Sequence, residues 1–380
     1  MNTAVVGLGF GDEGKGVVTD YLCSLSPRSA VLRFSGGHQA AHTVFYNGTN
    51  HVFSNFGSGT LRGCETYWSE FCTFEPRGFC NELNILRKKG ISPILHIHNN
   101  CMVTTPYDII ANWLSSERAH GTTGVGIWKT IERNNNNFHL SATQILTQNE
   151  KTTKAHIKEV ANYYSNLQHE NLSDMLEEFY DAVKQIQNDD SIQLFYNYPH
   201  ANSMVFEGSQ GLLLDKDIGF WPYVTPSKTN MENVFKLGYS PSDVFLVTRA
   251  YQTRHGTGPM TNEDKPFLTR QVEAATQDNV FQGKLRKTML DLDLLEKGVR
   301  LGIDPACGQR GIKKNLVITC LDQIDEYTLT HNETVLSFDG VGEFISYIGE
   351  TLGITGELYG NYSPYSDTVS KVLEVIGCQT

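Results

Sequence analysis

Short runs of apolar and β-branched residues, each bounded by turn residues, recur along the chain and predict buried β-strands. Residues 4–10 form the first run and lead into a glycine-rich turn, after which Val17, Val18, Tyr21 and Leu22 recur at helical spacing. A strand, a glycine turn, a helix and a second strand are the opening of a parallel α/β sheet. The remaining predicted strands are residues 29–34, 93–98, 203–206, 244–247 and 316–319.

Longer stretches predict helices over residues 105–119, 151–187 and 366–376. The second of these is polar, so we expect it to project from the main sheet. The asparagines at 134–137 are expected in a surface loop. Because no repeat or linker divides the chain, we expect one α/β domain over residues 1–380, with a central, mostly parallel sheet and helical and loop excursions.

The charge balance indicates which class of ligand the protein binds. With 31 Lys and Arg against 42 Asp and Glu, the net charge is −11. Nucleic-acid binding needs clustered cations and is therefore not expected, whereas a few local cations and backbone amides suffice for a small anion. The eight cysteines contain no CxxC pair and are expected to be reduced. Without a signal peptide or a membrane-length apolar run, we expect a soluble, cytoplasmic protein with no membrane partner.

A glycine-rich segment, Gly-Phe-Gly-Asp-Glu-Gly-Lys-Gly at residues 9–16, lies between the first predicted strand and helix. Its Gly-x4-Gly-Lys spacing is that of a phosphate-binding P-loop, in which backbone N–H groups and a helix N-terminus hold phosphate oxygens. Ordinary P-loops continue with Ser or Thr, whose hydroxyl binds magnesium, whereas this chain has Gly16. The carboxylate of Asp12 is the obvious replacement ligand. The segment therefore predicts a P-loop-like nucleotide-binding fold with Mg²⁺ as cofactor.

Several ordered motifs resemble those of one family. The Gly-Asp-Glu-Gly-Lys-Gly motif after a first strand resembles that of the adenylosuccinate synthetases, purine ligases with a P-loop-like fold. That family's next motif, Gly-Gly-His-Asn-Ala-Gly-His-Thr, is similar to Gly-Gly-His-Gln-Ala-Ala-His-Thr at residues 36–43. Further similar segments follow in the family's order at residues 121–126, 206–211, 222–225 and 251–259. Such a series is far more specific than one glycine loop.

The resemblance implies a reaction and assigns roles by position. The purine 6-oxygen attacks the γ-phosphate of a nucleotide, and L-aspartate then displaces the phosphate. Asp12 would contact purine N1 and magnesium and act as base, and His42 would be the acid at the transferred phosphate. Removing the N1 proton makes the 6-oxygen nucleophilic, so the chemistry is consistent with these roles. The other implied residues are Lys15 and Gln210 in catalysis, Gly11, Glu13, Gly14, Gly16, Gln39, Thr122, Thr123 and Thr225 at nucleotide or phosphate, and the carbonyl of Ala41 at magnesium.

The amino-acid loop departs from the family pattern. In the family it ends in a run of arginines, whereas the corresponding stretch here, residues 283–291, offers Lys284, Arg286 and Lys287. Lysine is a point charge and cannot pair bidentately with a carboxylate. Positive charge is nevertheless kept, so L-aspartate remains the expected amine, with Lys284 and Arg286 as its contacts.

The donor-base motif departs as well. The family's Thr-Lys-Leu-Asp stands here as Thr-Cys-Leu-Asp at residues 319–322. Asp322 retains the ability to accept hydrogen bonds from guanine N1–H and its 2-amino group. Ser363 is expected to complete this pocket, and GTP is favoured over ATP.

The sequence leaves two candidates for the acceptor purine nucleotide, IMP and dGMP. Some phage-encoded relatives act on dGMP, and many of them replace the catalytic aspartate, so the presence of Asp12 favours IMP. The chain is shorter than usual bacterial members, which keeps a dGMP–aspartate ligase making 2-amino-deoxyadenylosuccinate as the alternative. Members of the family typically build their site at a dimer interface. The resemblance thus implies a homodimer, with Arg133 as the candidate residue that reaches the neighbour's site.

Two interpretations from other classes remain. The altered arginine loop and Cys320 suggest a nucleotide-binding sensor or partner-binding protein that no longer catalyses, although the implied catalytic residues are all kept together. A regulatory P-loop GTPase is disfavoured by Gly16, which stands where the metal-binding hydroxyl should be.

Overall fold

A ten-stranded sheet runs through the centre of the computed structural model, which describes residues 2–26, 29–116, 120–165, 167–199, 203–270 and 283–372. In chain order the described strands are β1 (Asn2–Gly7), β2 (Ala30–Arg33), β3 (His42–Tyr46), β4 (Thr49–Phe53), β5 (Glu65–Trp68), β6 (Thr73–Phe74), β7 (Leu95–His98), β8 (Met102–Val103), β9 (Ile192–Phe195), β10 (Met204–Gly211), β11 (Asp243–Arg249), β12 (Gln252–His255), β13 (Leu285–Thr288), β14 (Leu290–Asp291), β15 (Lys313–Thr319), β16 (Tyr327–His331), β17 (Thr334–Phe338), β18 (Leu358–Gly360) and β19 (Ser370–Lys371).

The sheet has the strand order β19-β18-β15-β11-β1-β10-β2-β5-β7-β9. Every neighbouring pair is parallel except β18 and β19. The mostly parallel sheet expected from the sequence is confirmed. Because β1, β2, β10, β11 and β15 run the same way, their carboxyl ends share one edge, where open α/β sheets bind their ligands. The segments that follow these five strands contain most of the motifs singled out above.

Helices connect the strands and cover the sheet. They are α1 (Lys15–Leu25), α2 (Pro76–Lys88), α3 (Pro106–Leu114), α4 (Ile127–Asn135), α5 (Ala142–Leu146), α6 (Glu150–Tyr163), α7 (Leu172–Gln187), α8 (Glu232–Lys236), α9 (Leu292–Gly302), α10 (Asp304–Arg310) and α11 (Val341–Thr351). In the described part of the chain, none of them combines the length and apolarity that crossing a membrane requires.

Residues 4–6 of strand β1 are all apolar because both faces of the strand are covered. Ala4 and Val6 belong to a hydrophobic core shared with Phe344 of α11. Val5 belongs to a different core, shared with Val18 of α1. Successive side chains of a strand point to opposite faces, so a strand buried on both sides reads as a continuous apolar run. This burial fixes the strand after which the glycine-rich segment begins.

The six predicted strands are confirmed within a few residues at each end. The helix predicted over residues 151–187 is wrong as one element, because α6 ends at Tyr163 and α7 begins at Leu172. Ser165 has a φ of 52°, a left-handed conformation that turns the chain out of a helix. The helix predicted over 366–376 is wrong in its described part, where one 3-10 turn is followed by β19. Pairing with β18, as the edge strand of the sheet, outweighed the helical spacing of that segment.

Of the two predictions around α3 and α4, one is confirmed and the other is wrong in part. A helix within residues 105–119 is confirmed by α3, which a capping box at Thr105 begins. The surface loop at 134–137 is wrong for Asn134 and Asn135, because α4 continues through both of them. Asn134 is buried, and its side chain donates a hydrogen bond of 2.7 Å to the carbonyl of Thr130. Helical backbone pairing thus extends further than the polar composition suggests.

Candidate active site

The P-loop, defined here as residues 8–14, joins β1 to α1 with three residues, Gly11, Asp12 and Gly14, at positive φ. Gly14 precedes the first residue of α1 and has a φ of 93°. Asp12 has a φ of 61°, a region that residues other than glycine rarely adopt. The tight turn therefore presents the Asp12 side chain from the centre of the loop.

The carboxylate of Glu13 folds back into the P-loop. Its Oε1 accepts hydrogen bonds from the N–H groups of Gly9 (3.1 Å) and Gly11 (2.8 Å). Its Oε2 lies 2.6 Å from Nζ of Lys15, and both side chains are almost fully buried. The hydroxyl of Thr319, the last residue of β15, donates a 2.7 Å hydrogen bond to the carbonyl of Glu13. The loop is thus held in shape by its own ion pair and by a neighbouring strand.

Gly16 packs directly against His42. A Cβ at residue 16 would lie 2.8 Å from the Cβ of His42, 3.3 Å from its Cα and 3.2 Å from Oγ of Ser58. A Ser or Thr of an ordinary P-loop is therefore excluded by the backbone of β3. The same packing brings His42, which a separate motif predicted, to the P-loop.

A buried carboxylate holds the ring of His42. Nδ1 of His42 lies 2.6 Å from Oε1 of Glu207, and Ser58 donates to that carboxylate from its N–H (3.1 Å) and its hydroxyl. A carboxylate only accepts hydrogen bonds, so Nδ1 carries a proton and Nε2 is left for a ligand. Burial would raise the pKa of Glu207, but His42, Arg33 and Ser58 bring it down to about 2. Burial lowers the pKa of His42, although Glu207 acts in the opposite direction.

The carboxylate of Asp12 is held from β11 and β12. Nε2 of His255 lies 2.9 Å from its Oδ2, and Nε of Arg249 donates to the Asp12 carbonyl. Burial would raise the pKa of Asp12, but the contact with His255 and the charges of Arg249 and Lys15 lower it below its usual value. Lys15 also lowers the pKa of His42. Asp12, Lys15 and His42 therefore lie within one electrostatic neighbourhood.

Four of the predicted residues leave a buried polar atom without a protein partner among the described residues. One is Nε of Arg286 on β13, and the other three are Oε1 of Gln39, Nε2 of His42 and Oε1 of Gln210. Gln39 and His42 follow β2, and Gln210 lies at the end of the adjacent strand β10. Buried polar groups in folded proteins are almost always hydrogen-bonded. Their grouping at one edge of the sheet marks the place of a polar ligand.

The predicted nucleotide contacts Thr122, Thr123 and Thr225 lie in two loops that pack together. The rings of His120 and Tyr223 are 5.6 Å apart, and those of Trp128 and Trp221 are 6.0 Å apart. The hydroxyl of Thr122 donates to the side chain of Asn112 (3.0 Å) and so stabilises its own loop. Thr123 and Thr225 are half-buried.

Arg133 lies elsewhere, and its predicted role is wrong. Its side chain is fully buried between α3 and α4, with Nε 2.8 Å from Oδ1 of Asp108. Its two terminal nitrogens donate to the carbonyls of Phe138 (2.6 Å) and Val103 (2.7 Å). Every nitrogen of the guanidinium has a protein partner, so Arg133 cannot reach a nucleotide in a neighbouring subunit. The residue joins two helices instead.

Strands β12 and β13 form an antiparallel pair in which Arg254 stands opposite Arg286. Arg286 is half-buried and donates 2.8 Å hydrogen bonds to the carboxylate of Glu263 and the carbonyl of Gly258. Lys284 is exposed beside it. Burial and the charge of Arg286 lower the pKa of Arg254 to about 10, which still leaves it charged at neutral pH. Facing guanidinium groups suit a small dicarboxylate.

Asp322 and Ser363 lie in adjoining loops beyond β15 and β18. The N–H of Leu321 donates to the carbonyl of Asn361 (3.1 Å), which joins the two loops. The hydroxyls of Ser363 and Thr368 are 2.8 Å apart. Burial raises the pKa of Asp322. The predicted donor-base residues are therefore neighbours, separate from Asp12 and His42.

Sequence reasoning gave no role to Glu207, Arg249 or His255. Glu207 and His255 fall inside segments that the resemblance selected, but their partners, His42 and Asp12, are far away in the chain. The available signal was a charged residue directly after a buried apolar run, which Glu207 and Arg249 both show. A carboxylate or guanidinium in such a place needs a partner, and only the fold identifies it.

Comparisons with known proteins agree with this geometry. A family model described as adenylosuccinate synthetase matches residues 4–328. An adenylosuccinate synthetase of Coxiella burnetii is 30% identical over 364 residues, covering 90% of this chain and 80% of that protein. One of Thermoplasma volcanium is 27% identical over 401 residues, covering 97% of this chain and 86% of that protein.

Two solved structures share the fold. A fully ligated adenylosuccinate synthetase from Plasmodium falciparum aligns with a TM-score of 0.73 and 18% identity, covering 97% of this chain and 98% of that one. A succinoaminodeoxyadenylate synthetase of cyanophage S-2L, bound to dGMP and to dATP as an energy donor, aligns with a TM-score of 0.62 and 15% identity, covering 99% and 97%. Because the family model spans most of its length, this chain belongs to the adenylosuccinate synthetase family of carbon–nitrogen ligases.

Proposed function

We propose that the chain joins L-aspartate to C6 of IMP through a 6-phosphoryl intermediate, with GTP as the phosphoryl donor, and so forms adenylosuccinate. The observation that carries the proposal is the meeting of Asp12 and His42 at the P-loop, each held by a second ionisable group. Gln39 and Gln210, with their unpartnered buried oxygens, lie where the nucleotide would bind.

Asp12 is proposed as the base. Its lowered pKa keeps the carboxylate ionised at neutral pH, so it can accept the N1 proton of the purine. Loss of that proton places negative charge on the 6-oxygen, which then attacks the γ-phosphate. The P-loop amides and Lys15, which contact Glu13 in this structure, are proposed to neutralise the phosphate oxygens once a nucleotide is bound.

His42 is proposed as the acid at the transferred phosphate. Its ring is neutral as the structure stands, with Nδ1–H donated to Glu207. A phosphate that approaches Nε2 brings negative charge, which favours uptake of a second proton there. Glu207 then balances the imidazolium, as a carboxylate behind a catalytic histidine does.

Mg²⁺ is the proposed cofactor, and the available donors suit it. The Asp12 carboxylate and the carbonyl of the exposed Ala41 are oxygen ligands, which Mg²⁺ prefers. The close packing at Gly16 leaves no room for the usual hydroxyl ligand, so Asp12 takes its place. When bound, Mg²⁺ supplies positive charge to the phosphates during transfer.

The two remaining substrates are assigned to the two outer parts of the site. Arg286 and Lys284, on the hairpin of β12 and β13, are proposed to bind the carboxylates of L-aspartate. Asp322 and Ser363 are proposed to bind the guanine of GTP, with ATP as the alternative donor. Asp322 supports guanine because a carboxylate accepts two hydrogen bonds from its N1–H and 2-amino edge.

A dGMP–aspartate ligase is the second candidate. The cyanophage enzyme bound to dGMP aligns over nearly all of this chain, which favours keeping it. The retained Asp12 favours IMP. The two acceptors differ at C2, where dGMP has an amino group, and at the sugar.

We further propose a cytoplasmic homodimer. All seven described cysteines are free thiols, which suits a reducing compartment. Since Arg133 is not available to a neighbour, a shared site would have to use another residue. Sedimentation equilibrium of the purified protein tests the dimer, and a monomer that retains full activity would contradict it.

Mass spectrometry of the products tests the proposed reaction. The protein is incubated with IMP, GMP or dGMP, each with L-aspartate and either GTP or ATP. We expect a succinyl adduct of IMP that depends on GTP, and IMP labelled with ¹⁸O at the 6-oxygen should release labelled phosphate. An adduct on dGMP alone would establish the second candidate. The absence of any adduct, or unlabelled phosphate from labelled IMP, would refute the 6-phosphoryl route.

Variants assign the roles within that reaction. Asp12→Asn and His42→Asn should each lower kcat by about 10² or more, the usual contribution of a general acid or base. His331→Asn is the matched control, because His331 lies at the end of β16 with Tyr347 as its partner. Equal activity of all three variants would contradict the assignment.

A further inference from the structure

Strands β11 and β12 contact the P-loop at two consecutive residues, Gly11 and Asp12. The hydroxyl of Thr253 donates a 3.1 Å hydrogen bond to the carbonyl of Gly11. Arg249 donates to the carbonyl of Asp12, and Nε2 of His255 contacts the Asp12 carboxylate at 2.9 Å. Two of these contacts hold the backbone, and only the contact from His255 holds the side chain that the reaction needs.

The Asp12 side chain needs such a restraint. It leaves the chain at a φ of 61°, at the tip of a glycine-rich turn, and 27% of it is exposed. A carboxylate there has several rotamers, whereas proton transfer requires hydrogen-bond distance to one atom of the purine. His255 contacts Oδ2, which leaves Oδ1 for the purine and a second lone pair of Oδ2 for the proposed magnesium.

We propose that His255 is a positioning residue, which holds one oxygen of the Asp12 carboxylate so that the other meets purine N1. The inference rests on the proposed function, because it assigns to His255 a part in the step that Asp12 performs. Its ring lies on β12, whose backbone pairs with β13 at Leu285. A change of the side chain therefore leaves the hairpin, and with it the amino-acid contacts, in place.

The placement of His255 predicts a specific kinetic pattern. His255→Val should lower kcat by about tenfold to a hundredfold, since displacing a reacting group by ~1 Å has such an effect. The KM values for donor nucleotide and L-aspartate should stay within about twofold, because the residues proposed to bind these two ligands are unchanged. His255→Gln should recover most of kcat, because its amide N–H reaches Oδ2 from nearly the same position as Nε2.

A double-mutant cycle with Asp12→Asn tests the proposal. If His255 acts through Asp12, adding His255→Val to Asp12→Asn should cause no further loss of kcat. His331→Val is the matched control, a half-buried strand-end histidine with a 2.8 Å contact to Tyr347, and it should leave kcat unchanged. Thermal unfolding of each variant identifies any loss of fold, and His255→Gln decides the question if His255→Val does not fold.

Failure of the proposal is distinct from failure of the proposed function. An active wild type with unchanged kcat in His255→Val, or multiplicative losses in the double variant, would overturn the positioning role. A wild type that converts neither IMP nor dGMP would overturn the proposed function itself.

Discussion

The Glu207 carboxylate accepts hydrogen bonds from His42 and from both donor groups of Ser58. Glu207→Gln keeps an oxygen for Nδ1–H but removes the charge that would balance a protonated ring. We expect kcat to fall by about tenfold to a hundredfold, a part of the contribution of a general acid. Steady-state kinetics with saturating substrates measure the effect.

The control for Glu207→Gln is Glu82→Gln. Glu82 is also buried against a histidine, with Oε1 3.3 Å from Nε2 of His51, but neither residue has a predicted role. Both variants should lose stability, and only Glu207→Gln should lose kcat. Equal kinetic losses would assign Glu207 to folding alone.

The lowered pKa of Glu207 also predicts that the stability of the fold decreases in acid. Its pKa is about 2 in the folded protein against a usual 4.5. A carboxyl with a lowered pKa stabilises the fold above its unfolded value, and that contribution is lost as the pH falls from 4.5 towards 2. The free energy of unfolding, from urea titrations, should therefore fall more steeply with acid in the wild type than in Glu207→Gln. Parallel curves would show that the charge of Glu207 is not coupled to folding.

Gly16 gives a further prediction at this scale. Gly16→Ser would restore the residue of an ordinary P-loop, but its Cβ would meet the Cβ and backbone of His42. We expect destabilisation of about 1–3 kcal/mol, as for overpacked cores, together with loss of activity. Gly308→Ser in α10, where nothing lies within 4 Å, should be neutral. A Gly16→Ser protein of normal stability and activity would contradict the packing argument.

The sequence identified Asp12, Lys15 and His42 because each stands in a motif whose chemistry is local. It did not identify Glu207 or His255, because each acts on a residue far away in the chain. Side-chain spacing along a chain carries no information about such pairs. They become visible only when β10 and β12 are placed beside the P-loop.

At the scale of elements, the pair of α3 and α4 shows how a charged residue can mislead. The family resemblance made Arg133 the candidate that reaches a neighbour's site, yet it joins two helices through Asp108. Arg133→Met leaves the Asp108 carboxylate buried without its cation. We expect a loss of about 3–5 kcal/mol in unfolding free energy, typical of a broken buried pair. The KM values of the folded fraction should not change.

The measurement for Arg133→Met combines urea unfolding with steady-state kinetics. Lys129→Met is the control on the same helix, because its partner Glu132 is exposed and a surface pair contributes little. A stable Arg133→Met protein with a raised nucleotide KM would restore the original prediction.

The secondary structure of an element was predictable where the apolar residues of that element are the ones that become buried. The central strands were found because both faces are covered and the runs are apolar. The break between α6 and α7 was missed, because both flanks are helical and polar and no glycine or proline marks residues 164–171 between them. The edge strand β19 was missed because two residues gain their structure from β18 alone.

At the scale of the whole molecule, the fold class followed from the succession of strands, glycine turn and helix, whereas the order of the strands did not. β1 pairs with β10 and β11, which begin at Met204 and Asp243. No property of the first residues indicates these distant neighbours. The site is assembled from loops at one edge of this sheet, so its composition depends on the pairing order.

That pairing order has a consequence during synthesis. The first strand to leave the ribosome finds its two neighbours only after most of the chain has been translated, and the hydroxyl of Thr319 reaches Glu13 later still. Contacts between such distant segments form slowly, because long loops must close first. A nascent chain therefore carries an exposed glycine-rich turn for most of its elongation. We therefore expect the P-loop to reach its folded conformation only after β10, β11 and Thr319 of β15 have been translated.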